Sequence, residues 1–246
     1  MIMKYIVSLS GGKDSTAMLH WLLEKNYPVD GIVFMDTGWE FPAMLEHIDL
    51  VEKNIGIPIT RAKPRKSFEH WLLHQKVVAK KGPMKGKVHR IGYGWPSSLR
   101  RWCTREKVGA IIKHMKRYET ASMYIGIAAD EAHRQVEKAT IKNKDYVRAY
   151  PLIEWGKTEA DCLEYCKELG YHWDGLYDIF CRVSCFCCPL QRVGELRKLR
   201  KHFPDLWAQM LEWDHLNIRG FRGEKSVHDM DKRFFVEDQQ LFLPGF

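Results

Sequence analysis

The string Ser10-Gly11-Gly12-Lys13-Asp14-Ser15 constrains this chain more than any other. It lies between a β-rich run, residues 4–9, and residues 15–26, where Met18, Leu19, Trp21, Leu22 and Leu23 recur at helical spacing. A strand that enters a helix through two glycines admits few folds. The glycines let backbone pass close to an anion without interference from a Cβ. The open N–H groups of the first helical turn then point at that anion, and the helix dipole adds to the attraction. Lys13 supplies a point charge, and Ser10 and Ser15 supply hydroxyl donors. The spacing is neither the G-x-x-x-x-G-K-[ST] of a Walker A loop nor the G-x-G-x-x-G of dinucleotide folds. A tight turn with Asp14 or Ser15 as helix cap is the plainer reading of the same residues. A mere turn, however, needs neither the lysine nor a serine on each side.

The rest of the N-terminal half alternates strand and helix. Residues 30–35 (DGIVFM) read as a second buried strand, 43–55 as a helix entered after Pro42, and 57–60 as a third, short strand. A further strand is expected over 122–127. This alternation predicts an α/β fold with a parallel, Rossmann-like sheet and right-handed crossovers. Helices are expected at 67–74, 105–118, 157–169 (stopping at Gly170), 194–201 and 204–216. From about Tyr150 the pattern turns helical and Cys-rich. The expected division is a nucleotide-binding α/β domain over 1–150 and a helical Cys-rich subdomain over 151–246. Residues 79–98, rich in Gly, Pro and Lys, read as a long mobile loop.

Charge is unevenly spread. The chain carries a net +8, yet residues 79–117 hold twelve Lys and Arg against the single acid Glu106, so the remainder is net negative. Such a segment favours polyanions: nucleotide phosphates, sulfate esters or nucleic acid. Lys80, Lys81, Lys85 and Lys87 suit phosphate contacts that read no sequence. Tyr93, Trp95 and Trp102 interleave with the charge as candidate stacking platforms for bases. A solvated loop with core aromatics is the alternative. Segment 80–117 is thus a candidate surface for a nucleic-acid acceptor. No run of about 18 apolar residues suggests a membrane span, and the N-terminus turns polar too quickly for a signal peptide. The expectation is a cytoplasmic protein whose oligomeric state the sequence does not set.

Seven cysteines are present, four of them at 181, 185, 187 and 188. Clustering of this kind, without an export signal, suggests reduced thiols, metal binding or redox chemistry. Cys185 and Cys188 form a C-x-x-C pair whose spacing lets one loop clamp a metal or cluster. Adjacent Cys187 is less well placed beside Cys188. Cys103, preceded by Trp102 and flanked by Arg100, Arg101 and Arg105, is the best distant partner, since cations stabilise a thiolate. An iron–sulfur cluster, a zinc ion and plain buried or reactive thiols are the three readings. Cys162 and Cys166, four apart on an expected helix, read as core packing.

Three ordered motifs carry a family resemblance. SGGKDS resembles the pyrophosphate-binding loop of the PP-loop ATPases, also called the adenine nucleotide alpha-hydrolase-like family. Residues 35–42 (MDTGWEFP) resemble the DTG-x-x-FP signature of its phosphoadenosine phosphosulfate (PAPS) reductase branch. Residues 126–134 (GIAADEAHR) are similar to that branch's G-x-R-x-D-E-x-x-R segment, with Ala128 where the branch often has Arg. The resemblance extends to about Leu216. It implies that Ser10, Gly11, Gly12, Lys13 and Ser15 hold phosphates, and that Asp36 and Thr37 border the nucleoside. Gly126, Asp130, Glu131 and Arg134 complete the implied nucleotide site. Asp130 and Glu131 are also candidates to hold Mg²⁺ bridging phosphates, or else to cap a helix or form a surface ion pair. Iron–sulfur members of the branch carry a Cys-Cys pair in mid-chain and a late C-x-x-C. Here Trp102-Cys103 replaces the pair, leaving Cys103, Cys185, Cys187 and Cys188 as candidate ligands of a 4Fe-4S cluster, with Cys181 as an alternative fourth.

Three functions follow. The first is an enzyme that binds ATP with Mg²⁺ and transfers its adenylyl group with release of pyrophosphate, coupled to sulfur chemistry at the Cys cluster. Lys13, Asp14 and Cys103 are its candidate catalytic residues. The second is a sulfonucleotide reductase acting on an adenylyl sulfonucleotide. Its chemistry needs a nucleophilic Cys near the C-terminus, and residues 216–246 contain none. The third is a non-catalytic nucleotide or nucleic-acid-binding module, against which the intact SGGKDS speaks.

Overall fold

A computed structural model of the chain describes residues 2–135, 146–217 and 219–241. Contacts divide these into two compact units, residues 1–64 with 107–184 and residues 65–106 with 185–246. Each unit is assembled from separate stretches of chain, a different division from a single cut near residue 150.

In the first unit, strand β1 (Lys4–Leu9) leads through the glycine loop into helix α1 (Lys13–Glu24). Strand β2 (Gly31–Met35), helix α2 (Pro42–Ile55) and strand β3 (Ile59–Ala62) follow. Pro42 opens α2, where its missing N–H costs nothing, and Gly56 closes it in the left-handed conformation at φ +66°. Ile6, Val7, Ile32, Val33 and Phe34 are all at most 1% exposed, as expected of strands covered on both faces. Met18, Leu19 and Leu22 from α1 and Ile48 and Val51 from α2 are likewise buried.

Within the second unit, the expected helix over 67–74 is a π-helical turn, His70–His74. Residues 79–98 depart from the expected loop. Strands β4 (Lys76–Val78) and β5 (Val88–Ile91) pair antiparallel, and Lys80, Lys81, Lys85 and Lys87 stand exposed around the hairpin's turn. Gly82 and Gly86, at φ +75° and +82°, supply the left-handed positions of that turn.

Helix α3 (Trp102–Met115) carries the chain back into the first unit, where strand β6 (Ala121–Ile125) lies against β1. Strand β7 (Tyr146–Ala149), not foreseen in the sequence, pairs beyond it. The sheet is wholly parallel, in the order β3-β2-β1-β6-β7. Strand order therefore reverses between β1 and β6. Open α/β sheets bind ligands in the crevice outside the carboxyl ends of the strands at such a switch point. Helices α4 (Pro151–Glu154), α5 (Glu159–Glu168) and α6 (Leu176–Ile179) finish this unit. Helix α5 starts with a complete Thr158–Asp161 capping box and is followed by Gly170 at φ +84°.

Helices α7 (Val193–His202), α8 (Pro204–His215) and α9 (Val227–Leu241) belong to the second unit. Buried Asp214 ties them locally: one oxygen accepts the Trp95 indole N–H at 2.9 Å and the other the Val227 amide at 2.8 Å. Trp95 and Trp102 are 3% and 6% exposed. Tyr93 stacks on Trp71 at 5.6 Å, with the Arg105 guanidinium 5.5 Å from its ring centroid. Trp95 and Trp102 are thus packed into the protein, while Tyr93 is half-buried between Trp71 and Arg105.

Candidate functional site

The glycine loop is built as its composition demands. Gly11 takes φ +81°, and a Cβ there would lie 2.6 Å from the Met44 sulfur. Gly12 is the N-cap of α1 and offers no side chain to cap it, and the Ser10 hydroxyl accepts the Gly12 amide at 3.4 Å. Ser15 instead folds back: its hydroxyl donates to the Gly12 carbonyl (3.1 Å), accepts the Ser10 amide (3.1 Å) and lies 2.9 Å from Ser10 Oγ. Two aromatic residues distant in sequence fix the loop. The Trp173 indole donates to the Gly11 carbonyl at 2.8 Å, and the Lys13 amide donates to the Tyr177 hydroxyl at 2.9 Å. Burial pushes the Tyr177 phenol up, so it stays neutral and able to accept.

Strand β6 closes the other side of the crevice. Gly126 follows it directly, and a Cβ there would sit 2.8 Å from Ser15 Cα. Glycine at 126 thus lets the strand's end approach the backbone of the first turn of α1. The third motif continues into a 3-10 helix, Ala129–Arg134. Asp130 accepts the Glu159 amide at 3.2 Å, supporting the start of α5, and Glu131 pairs with Arg134.

The charge in the crevice is mixed. Lys13, 6% exposed, bonds Asp14 at 3.0 Å and Glu159 at 3.1 Å. Burial pulls its ammonium's pKa down, but these two carboxylates outweigh burial and hold it above its ordinary value. Burial lifts the Asp14 carboxyl above the usual range; Lys13 opposes that shift, and Glu159 and Glu131 reinforce it. Asp14, Glu131 and Glu159 each offer an oxygen within 4.8 Å of the others, the one such ligand group found among the described residues. Three carboxylates that close suit a hard divalent cation. Glu159 escaped the sequence reading because its contacts with Lys13 and the acid cluster leave no local pattern.

Beside this crevice, at the carboxyl end of β2, the Asp36–Gly38 stretch forms a side-chain-closed turn. Asp36 accepts the Gly38 amide at 3.0 Å and pairs with Lys63 at 3.2 Å. Thr37 is buried, with its hydroxyl donating to Glu40 at 2.7 Å. Glu40, within the MDTGWEFP string but given no role of its own, collects the Thr37 amide as well at 3.0 Å. The ordinary turn role of these residues is therefore realised at the carboxyl end of β2.

The cysteines sort by burial. Cys162 and Cys166 are fully buried, and burial pushes the Cys166 thiol up to about 12, in keeping with core packing. Cys181 is exposed, Cys103, Cys185 and Cys188 are half-buried, and Cys187 is fully buried. The Cys188 amide donates to the Cys185 carbonyl at 3.2 Å, closing the C-x-x-C turn. The Gln191 amide holds that turn through the Cys185 and Phe186 carbonyls at 2.8 and 3.0 Å. Cys103 lies in the first turn of α3, in the same unit. Among the described residues, no three of these sulfurs lie within 4.8 Å of one another. A tetrahedral zinc site would place them about 3.8 Å apart.

A parallel sheet with a Gly-Gly-Lys loop at its switch point places the molecule among the PP-loop α/β proteins. The sequence profile of the phosphoadenosine phosphosulfate reductase domain matches residues 4–191. This chain belongs to the phosphoadenosine phosphosulfate reductase family. A phosphoadenosine 5'-phosphosulfate reductase of Alkalilimnicola ehrlichii is 21% identical over 232 residues, 92% of this chain and 81% of its own. An uncharacterized protein of Methanocaldococcus jannaschii is 28% identical over 220 residues, 86% of this chain. The chain spans 41% of the length of that relative. The crystal structure of a PAPS reductase from Candida auris, a phosphate complex, superposes with a TM-score of 0.53 at 16% identity, covering 76% of this chain and 83% of that one. At that identity the likeness speaks for the fold alone. No helix among the described residues is long and apolar enough to cross a membrane.

Proposed function

We propose that this chain binds the phosphates of ATP or an adenylyl sulfonucleotide at the β1–α1 loop, and that with ATP it transfers the adenylyl group and releases pyrophosphate. The observation that carries this reading is the buried Lys13 in the first turn of α1, under a glycine loop at the sheet's switch point. Loop amides, the helix dipole and the Lys13 ammonium would stabilise charge developing on the leaving pyrophosphate. Asp14, Glu131 and Glu159 would hold Mg²⁺. Without a cation, three carboxylates would repel a polyphosphate, and Lys13 itself is held by two of them. With the carboxylates neutralised by a cation, Lys13 would be free to turn from Asp14 and Glu159 toward phosphate.

Sulfur chemistry completes the reading. The donor set Cys103, Cys185, Cys187 and Cys188, all thiols within one unit, suits an iron–sulfur cluster by softness. A cluster also tolerates sulfurs spread more widely than a single zinc ion does. Bound there, it would supply electron or sulfur transfer. The basic segment 80–117 would present a phosphate-bearing acceptor, such as nucleic acid. The second reading, a sulfonucleotide reductase, is favoured by the reductase among its sequence relatives.

Incubation with Mg²⁺ and ATP, followed for pyrophosphate, tests the first reading. Incubation with adenosine phosphosulfate and a thiol reductant, followed for sulfite, tests the second. Neither product, with nucleotide still bound, leaves a non-catalytic nucleotide module. Lys13→Ala is expected to abolish nucleotide binding in a folded protein; full binding by that variant would remove the loop from the site.

A further inference from the structure

Part of the positive charge of segment 80–117 lines a cleft. Arg90 from β5, Arg100 and Arg101 before α3, and Arg105 in its first turn surround about 370 Å³ with Tyr93 and Trp102. The volume is in the range of small-ligand sites. All of these residues belong to the second unit, and no carboxylate lines the cleft. Glu106 pairs with Arg105 at 3.2 Å, which leaves most of the charge uncompensated.

The cleft is also stiff on one side. The Arg105 guanidinium lies over Tyr93, and Tyr93 is stacked on Trp71 within 3° of parallel. A guanidinium backed by an aromatic face presents its donors in a fixed plane, which suits bidentate recognition of phosphate. The floor is aromatic and already packed: Trp102 donates its indole N–H to the Gly94 carbonyl at 2.9 Å. With four arginines and no carboxylate in its lining, the cleft selects for negative charge. Arg90 is half-buried, and its Nε is without a hydrogen-bond partner among the described residues.

We propose that the cleft formed by Arg90, Arg100, Arg101 and Arg105 is a second phosphate-binding site, taking a ligand with at least two phosphate groups. Burial and the neighbouring Arg100 charge hold the Arg90 guanidinium below its ordinary pKa, an imbalance that a bound anion relieves. The N-terminus of the fourteen-residue helix α3 adds its dipole on the same side. Consecutive phosphodiesters of a single strand and a free oligophosphate share this chemistry. The inference rests on the proposed function only in expecting an acceptor that bears phosphate; the site itself stands on residues of one unit.

The test uses the full chain carrying Lys13→Ala, which removes the loop as a competing phosphate site. Inorganic tripolyphosphate and a labelled single-stranded RNA octamer are the probes, titrated at low and at moderate salt. Both are expected to bind, with affinity falling as salt rises. Arg100→Gln and Arg101→Gln, at exposed positions that the fold does not depend on, should each weaken binding about tenfold, the order of one charge-assisted hydrogen bond. Arg90→Gln should do at least as much, with its fold checked by circular dichroism. Binding of tripolyphosphate without the octamer identifies a small phosphorylated ligand, and binding of both identifies a strand. Unchanged affinity in the Arg100 and Arg101 variants, or no binding of either probe once Lys13 is removed, overturns the proposal. Loss of nucleotide binding in Lys13→Ala with tripolyphosphate still bound keeps the two sites separate.

Discussion

Glycine 126 and glycine 109 make opposite predictions from the same substitution. At 126, a Cβ would come within 2.8 Å of Ser15 Cα, 2.9 Å of Ser15 N and 3.1 Å of the Asp14 carbonyl carbon. All three are backbone atoms, so no side chain can rotate away. Restoring ordinary contact at 3.4 Å demands a shift of about 0.6 Å between the end of β6 and the first turn of α1. Overpacking of this kind costs about 1–3 kcal/mol, which lowers the melting temperature by roughly 2–12 °C in a chain of this size. At 109, inside α3, a Cβ meets nothing within 4 Å. Gly109→Ala should therefore gain about 1 kcal/mol from helix propensity alone and raise melting by roughly 2–4 °C. Calorimetry on both variants measures the contrast. Binding of a fluorescent ATP analogue with Mg²⁺ supplies the second readout, since the displaced turn carries the loop amides. Gly126→Ala should weaken that binding about tenfold or more, because hydrogen-bond geometry is lost at such shifts, while Gly109→Ala leaves it alone. A Gly126→Ala protein that melts and binds like the parent would refute the close approach of strand and helix, and with it the shape of the crevice.

Further outcomes follow from the charges. His47 is buried against Trp173, with Nε2 3.0 Å from Thr16 Oγ1, and burial, reinforced by His20, pushes its pKa from 6.5 down to about 3. The unfolded chain takes up this proton first on acidification, so the stability it contributes is full above about 6.5 and is lost as pH falls toward about 3. His47→Gln should show a smaller drop in urea midpoint between about pH 7 and about pH 5 than the parent; equal drops would contradict the burial argument. Asp14→Asn and Glu159→Gln should each lessen the dependence of ATP binding on Mg²⁺ about tenfold, by improving binding in chelator and weakening it with the metal. Undiminished Mg²⁺ dependence in both would move the cation elsewhere. Anaerobically purified protein should be brown and hold iron; a colourless protein with stoichiometric zinc would rule out the cluster.

What the sequence disclosed depended on the range of the interaction. The loop, β1, β2 and the Pro42 entry to α2 were legible because glycine, proline and apolar runs act on their immediate neighbours. Helix α9 is equally local in its signal: Ser226 and Asp229 form a capping box ahead of buried Met230 and Phe234. The β4–β5 hairpin was obscured because lysines and glycines dominate its turn, while its apolar positions are few. Tyr177, Trp173 and Glu159 could not have been found locally, since each reaches the loop across more than a hundred residues. The loop's composition announces an anion site, but its charge balance is set by residues that only folding brings near.

The interleaving of the two units has a consequence for synthesis. Residues 65–106 leave the ribosome before the first unit is finished, yet their partners begin only at residue 185. At about 5–20 residues per second, translating the intervening 107–184 takes roughly 4–16 s. During that interval Trp95, buried in the finished protein against Trp213 and Phe221, has neither of these partners with which to pack. The nascent chain should therefore pass through a stage in which one half of an aromatic core waits for the other. A chaperone that recognises exposed aromatic segments has its natural point of engagement there, and a ribosome stalled just short of residue 185 is the place to look for it.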